Sequence, residues 1–182
     1  MSVFTKVSHT QLRKFLKQYP VGALIGFQGI GEGVENTNYF VDTEDGRWVL
    51  TLFERLNYAD LPFFLGLMDH LASRGFPSAM PARTHDGGNL VTLNGKPAAL
   101  TRRLTGQSVL FANLEQCRQV GRALGELHVA AQSYAGHCDN SRGALWREQT
   151  GRLLARKTRE ASIRKLIDDE LAQQMSLDWD SL

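Results

Sequence analysis

Two cysteines in 182 residues, Cys117 and Cys138, leave no second pair from which a disulfide framework or a cysteine metal cage could be built. They are expected to be buried or half-buried thiols in a reducing compartment. Charge of one sign is never concentrated. No run of five or more like charges occurs, and a net charge of +2 leaves no basic footprint of a nucleic-acid binder. Long apolar runs are missing too: none approaches the roughly 20 residues of a membrane span. The opening Met1 to His9 segment has no apolar stretch of the kind that starts a secretory signal. A cytoplasmic protein without nucleic-acid or membrane partners is the expectation. Internal repeats and low-complexity segments are absent. The sequence Gly-Lys-Ser/Thr occurs nowhere, which excludes a Walker A loop. What remains is an ordinary globular composition, 42% hydrophobic and 22% charged, able to bury a core.

The pattern along the chain changes character once. Ser8 and Gln11 make a capping box ahead of Leu12, Phe15, Leu16 and Tyr19, so a short amphipathic helix opens the chain and Pro20 and Gly22 close it. From Ala23 to Leu104 the signals are mostly strands: Ala23 to Phe27, Thr37 to Asp42, Arg47 to Phe53, Leu90 to Leu93 and Lys96 to Leu100. Asp45-Gly46 and Asn94-Gly95 are hairpin turns. One helix interrupts the strands. Asp60 caps it, Pro62 suits its first turn, Phe64, Leu67, Met68 and Leu71 share a face, and Gly75 stops it. After Gly106 the pattern is helical. Asn113 and Gln116 form a second capping box, with Leu114, Cys117, Val120, Leu124 and Leu127 as the predicted buried stripe. A polar loop over Tyr134 to Gly143 precedes two helices, Ala144 to about Arg159 and Glu160 to about Met175. Ile163, Leu166, Ile167 and Leu171 give the second its apolar face. The organisation expected is residues 1–104 as one lobe and 105–182 as a helical part.

Chemistry-bearing candidates lie in the strand half. Gly29-Ile30-Gly31-Glu32-Gly33 is rich in glycine, and its backbone amides could cradle phosphate oxygens. A Rossmann fingerprint would need a helix directly after it, whereas a strand follows. A glycine loop between antiparallel strands is the arrangement that covers nucleotide phosphates in kinase-like folds. It is equally a plain structural turn. Kinase-like folds put a phosphate-pairing Lys on the third strand, and Thr51 holds that place here. Asp60 sits where such folds keep an acid, but with Thr51 opposite, an N-cap duty is expected. Arg102, Arg103 and Leu104 join the two halves and could offer backbone groups to adenine, or serve only as a connection with solvated arginines. His128 is expected to pack or bond a carbonyl, and His9, His70, His85 and His137 lack metal-site spacing. Trp48, Trp146 and Trp179 are expected as core or interface aromatics.

The runs Glu35-Asn36-Thr37-Asn38-Tyr39-Phe40-Val41, Trp48-Val49-Leu50-Thr51-Leu52-Phe53-Glu54 and Leu61-Pro62-Phe63-Phe64-Leu65 resemble bacterial homoserine kinases of the aminoglycoside-phosphotransferase type. Gly95 to Leu100 and Leu124 to His128 continue the likeness in order. The resemblance implies an α+β, protein-kinase-like fold, with a five-stranded antiparallel N-lobe containing one helix and a partial helical C-lobe. It implies ATP and Mg2+, with L-homoserine as small-molecule substrate. Gly31, Glu32, Gly33, Asn36 and Asn38 would form or support the phosphate loop. Arg102, Arg103 and Leu104 would meet adenine, and Thr51 would replace the usual Lys. Members carry a His-x-Asp loop with an Asn a few residues on, and later a metal-binding Asp. Nothing matches that set here, since Asp168, Asp169, Glu170, Asp178 and Asp180 belong to a helix and its tail. No catalytic residue is therefore assigned, and a chain ending before the catalytic loop is expected. Two alternatives stay open: a kinase of the same fold acting on choline, methylthioribose or an aminoglycoside, or a non-catalytic nucleotide-binding module.

Overall fold

The computed structural model describes residues 3–176, so Trp179, Asp178 and Asp180 lie outside the described residues. Helix α1 (His9–Leu16) starts at a reciprocal cap: the Gln11 amide donates to Ser8 Oγ, and the Ser8 amide donates to Gln11 Oε1 at 2.8 Å. Its Leu12, Phe15 and Leu16 are buried, as the spacing predicts.

Five strands follow: β1 (Leu24–Gly29), β2 (Thr37–Thr43), β3 (Gly46–Leu52), β4 (Val91–Leu93) and β5 (Lys96–Arg102). They form one antiparallel sheet in the order β1-β2-β3-β5-β4. The β2–β3 turn closes on a Thr43–Gly46 pair. At the β4–β5 turn Asn94 and Gly95 both take positive φ, 51° and 75°, which a two-residue turn of this hand requires. Alternation then divides the sheet into two faces. Thr37, Tyr39, Val41 and Thr43 on β2, and Trp48, Leu50 and Leu52 on β3, are buried. Tyr39, Val41, Trp48, Leu50 and Leu52 form a single core with Leu12, Phe15, Leu16, Tyr19, Ala98 and Leu100. The intervening Asn38, Phe40, Val49 and Thr51 point to the opposite face and are half-buried.

Helix α2 (Leu61–Ser73) ends in a reciprocal C-terminal cap: Gly75, at φ +82°, donates to Ala72 O, and Phe76 donates to Leu71 O. Its buried residues are Leu61, Leu65 and Leu71, whereas Phe64 is exposed, so the predicted face is rotated. Asp60 stands at the N-cap position but makes no side-chain cap. Its backbone is already helical, and its carboxylate accepts from the Asn57 amide at 3.2 Å instead. Helix α3 (Leu114–Ala131) opens on the predicted Asn113–Gln116 capping box and meets α2 near its end. There the Tyr134 hydroxyl donates to Phe63 O at 3.0 Å, its ring lies against Phe63, and it covers Gly66. His70, not His128, bonds a carbonyl, that of Ala130 at 3.0 Å.

The chain divides into two compact units, Met1–His137 and Cys138–Leu182. The second contains α4 (Ala144–Lys157) and α5 (Ala161–Met175), where Leu171 of α5 packs on Gly151 of α4. Three expectations are corrected. α3 buries none of its residues, and Leu114, Val120 and Leu124 are exposed. On α5 Ile163 and Leu166 are exposed, with only Ile167 and Leu171 half-buried. Both cysteines are exposed rather than buried. Trp48 is in the core as expected, and Trp146, expected in a core or at an interface, is not in the core. Apolar periodicity marks the face a helix can bury, but a partner surface must be present to bury it.

This contrast gives a direct test. Leu12, fully buried, should cost about 2–5 kcal/mol when changed to alanine. Leu114→Ala, at a residue 85% exposed, should stay within about 0.5 kcal/mol. Denaturant midpoints of the two variants against the unaltered chain measure both. Equal losses would contradict the assigned core.

Candidate nucleotide-binding site

The glycine-rich segment is the connection between β1 and β2. The Ile30 amide donates to Asn38 O at 2.9 Å and closes its neck. Beyond this neck Gly31, Glu32 and Gly33 are exposed. Gly33 adopts φ +113°, a backbone that side-chain-bearing residues avoid. A Cβ built on Gly31 would meet nothing within 4 Å, so steric room does not require a glycine there. An open loop with this backbone freedom can bring amide N–H groups to an anion.

Asn36 and Asn38 connect the loop to the sheet. Asn38 Nδ2 lies 3.5 Å from Asn36 O, a long hydrogen bond. Asn38 is the cross-strand partner of Thr51, and the Thr51 hydroxyl donates to Asn38 Oδ1 at 2.8 Å. Thr51 thus has a defined partner where kinase-like folds carry Lys. It fixes the Asn38 amide on the face opposite the core. The patch offers neutral donors, the Asn38 Nδ2 hydrogens and loop amides, but no cation at the Thr51 position.

The linker arginines are engaged within the fold. The Arg102 amide donates to Met80 O at 2.9 Å, and its guanidinium lies over the Trp48 ring, 5.0 Å from the centroid. The Arg103 amide donates to Arg47 O at 2.9 Å, and its guanidinium stacks on Phe40 at 3.8 Å. These two N–H groups are already used, so the expectation that this backbone offers free donors is narrowed to its carbonyls and to Leu104, which is exposed. Phe40 was not singled out from the sequence. It shares the face of Asn38 and Thr51, and period-two alternation could have found it. His137-Cys138-Asp139 was also passed over. It spells His-x-Asp, but Asn140 follows directly, its side chain accepts the Arg142 amide in a turn ahead of α4, and all of these residues are exposed.

A carboxylate at the end of β3 completes the surroundings. Glu54, whose side chain is 14% exposed, accepts from the Thr37 hydroxyl at 2.7 Å and pairs with Lys96 Nζ at 3.3 Å. Burial pushes its pKa up, but hydrogen bonds from Thr5, Thr37 and Lys96, with the Lys96 charge, outweigh burial and hold it below the ordinary 4.5. Among the described residues no group of three His, Cys, Asp or Glu could hold a metal, and no helix is long and apolar enough to cross a membrane.

Comparison with known proteins adds the family. The family model described as "Phosphotransferase enzyme family" matches residues 26–181. The chain belongs to this phosphotransferase family. The chain is 43% identical over 178 residues to the homoserine kinase of Methylobacillus flagellatus, covering 98% of this chain and 56% of the relative. It is 41% identical over 187 residues to that of Caulobacter vibrioides, covering 98% and 57%. The chain therefore spans little more than half the length of these curated relatives. Among solved structures it is similar to spectinomycin phosphotransferase crystallised with ADP and spectinomycin, with a TM-score of 0.64 at 17% identity, covering 97% of this chain and 61% of that one. Amicoumacin kinase, crystallised with AMP-PNP and Ca2+, gives 0.64 at 12% identity, covering 85% and 55%. The fold is α+β and protein-kinase-like.

The sign of the Glu54 shift makes a pH prediction. A carboxylate held below its ordinary value stabilises the fold fully above 4.5, and the contribution is lost as pH falls through the lower folded value. Glu54→Gln should lower stability at pH 7 and flatten the decline below pH 4.5. Denaturation midpoints between pH 7 and pH 3 measure this, and parallel curves for the two proteins would refute it.

Proposed function

We propose that this chain supplies the nucleotide-covering part of an ATP:L-homoserine phosphotransferase. The single observation that carries the reading is the likeness to homoserine kinases along almost all of the chain. Residues 1–104 are read as the nucleotide lobe and 105–182 as part of the helical lobe. ATP would lie beneath the glycine loop, with Gly31, Glu32, Gly33, Asn36 and Asn38 around its phosphates. The Asn38–Thr51 pair fits this use, because it aims a neutral amide donor at the loop tail and keeps it from rotating. Arg102, Arg103 and Leu104 would border the base.

In the reaction, the homoserine hydroxyl attacks the γ-phosphorus, its proton passes to a base, and ADP leaves. The chain spans little more than half the length of its homoserine kinase relatives, so on this reading the Mg2+ ligands and the base belong to a part of the protein outside these 182 residues. What this chain contributes is positioning and electrostatic stabilisation around the phosphates. A cytoplasmic location accords with a biosynthetic kinase of this type.

Two outcomes are expected. The 182-residue chain should give no homoserine-dependent ADP release, whereas the protein carrying its downstream region should phosphorylate L-homoserine with a higher kcat/KM than choline or kanamycin. A better antibiotic or choline substrate would reassign the acceptor, a possibility raised by the spectinomycin and amicoumacin enzymes of the same fold. Separately, Thr51→Val leaves Asn38 Oδ1 without its donor. This variant should weaken calorimetric binding of MgATP by roughly fivefold, the effect of losing about 1 kcal/mol. Unchanged affinity would remove Thr51 from the site.

A further inference from the structure

The glycine-rich loop runs from Ile30 to Asn36, and its two roots are the last residue of β1, Gly29, and the first of β2, Thr37. Both roots touch the same short stretch of chain, the segment ahead of α1. At the first root a Cβ on Gly29 would lie 2.9 Å from Val3 Cγ2, so the Val3 methyl rests directly on the glycine backbone. At the second root Thr37 is fully buried. Its hydroxyl oxygen accepts the Phe4 amide at 2.9 Å and the Thr5 amide at 3.0 Å, and it donates to Glu54 Oε1 at 2.7 Å. A hydroxyl has one hydrogen and two lone pairs, and here all three are used. Two residues further along β2, the Tyr39 hydroxyl accepts the Val7 amide at 3.1 Å and donates to Thr5 O at 3.0 Å. Lys96 secures the other side of Glu54, with its ammonium 3.3 Å from Oε2 and 3.2 Å from the Glu54 carbonyl.

We propose that Val3–Thr5 is a strap that pins both roots of the glycine-rich loop, with Thr37 and Glu54 as the positioning residues that fasten it. None of these groups faces the nucleotide side of the sheet. Thr37 and Tyr39 point to the core face, whereas Asn38 points away from it. The strap acts through the backbone: with both roots fixed, the loop amides keep a narrower range of positions, and an anion meets them partly organised. The arrangement accounts for a Thr beside Asn38 and for a Glu two residues beyond the end of β3, neither of which a phosphate site alone requires. The consequence for nucleotide affinity rests on the function proposed above, but the mechanical role does not.

Residue-resolved amide exchange on the 182-residue chain separates the two. The reporter is the Ile30 amide, bonded to Asn38 O across the loop neck. The controls are the amides of Leu50 and Leu100, in the middle of the sheet. Thr37→Val removes the acceptor for two amides and the donor to Glu54, and should speed Ile30 exchange by roughly fivefold or more with the controls unchanged. Thr37→Ser keeps the hydroxyl and should restore the original rate. Val3→Ala loosens only the Gly29 root, and decides the matter should Thr37→Val fail to fold. Unchanged Ile30 exchange, or an equal rise at all three amides, would overturn the strap. MgATP calorimetry on the same proteins forms the second arm. Absence of binding by the unaltered chain removes the nucleotide reading and leaves the exchange result to judge the strap alone. Binding that is equally tight in all variants would overturn the positioning role.

Discussion

A β2 side chain can face the core or the opposite side of the sheet but never both, and this constraint orders the whole strand half. Along Thr37-Asn38-Tyr39-Phe40-Val41 the odd positions go to the core side and the even ones to the other. Pairing with β3 carries the division across the sheet, so that Asn38 meets Thr51 and Phe40 meets Val49. A one-residue slip would put Asn38 into the core beside Leu50 and expose Tyr39, leaving a buried amide without its Thr51 partner. The core that enforces the register is apolar and closed by α1, with Leu12 and Leu50 fully buried. The polar pair on the far side is thus placed by hydrophobic packing it takes no part in.

The same division sorts the charges. The Thr51 position brings no cation to the candidate phosphate side, because Thr51 donates to Asn38, and the β3 cation on that face, Arg47, is four residues away and paired with Asp42 at 3.4 Å. Of the two arginines at the end of β5, Arg103 stacks on Phe40 of that face, whereas Arg102 lies over Trp48 on the core face. A guanidinium over a ring is partly desolvated and held in place, and so is less available than a solvated one. On the core side Glu54 is paired with the Lys96 ammonium and accepts a hydrogen bond from the Thr37 hydroxyl. On the proposed reading, phosphate recognition in this lobe relies on backbone and amide dipoles, which work through position more than through charge.

The amino-acid sequence alone determined the local elements, because their causes are local. The Ser8–Gln11 and Asn113–Gln116 capping boxes, the Asn94-Gly95 turn and the Gly75 stop each act over a few residues, and each is found where the spacing puts it. The order of five strands, and the family likeness carried by the runs from Glu35 and Trp48, were legible for the same reason. The tertiary structure decided what each element meets. It left the apolar stripe of α3 exposed, turned the predicted face of α2 toward Leu61 and Leu65, and took Asp60 away from its helix to the Asn57 amide. It also joined Thr37 to Glu54, 17 positions apart, and Val3 to Gly29. No period or turn signal reports such pairings. They depend on which surfaces the folded chain brings within hydrogen-bonding and van der Waals distance, and that is fixed only when the sheet closes over its core.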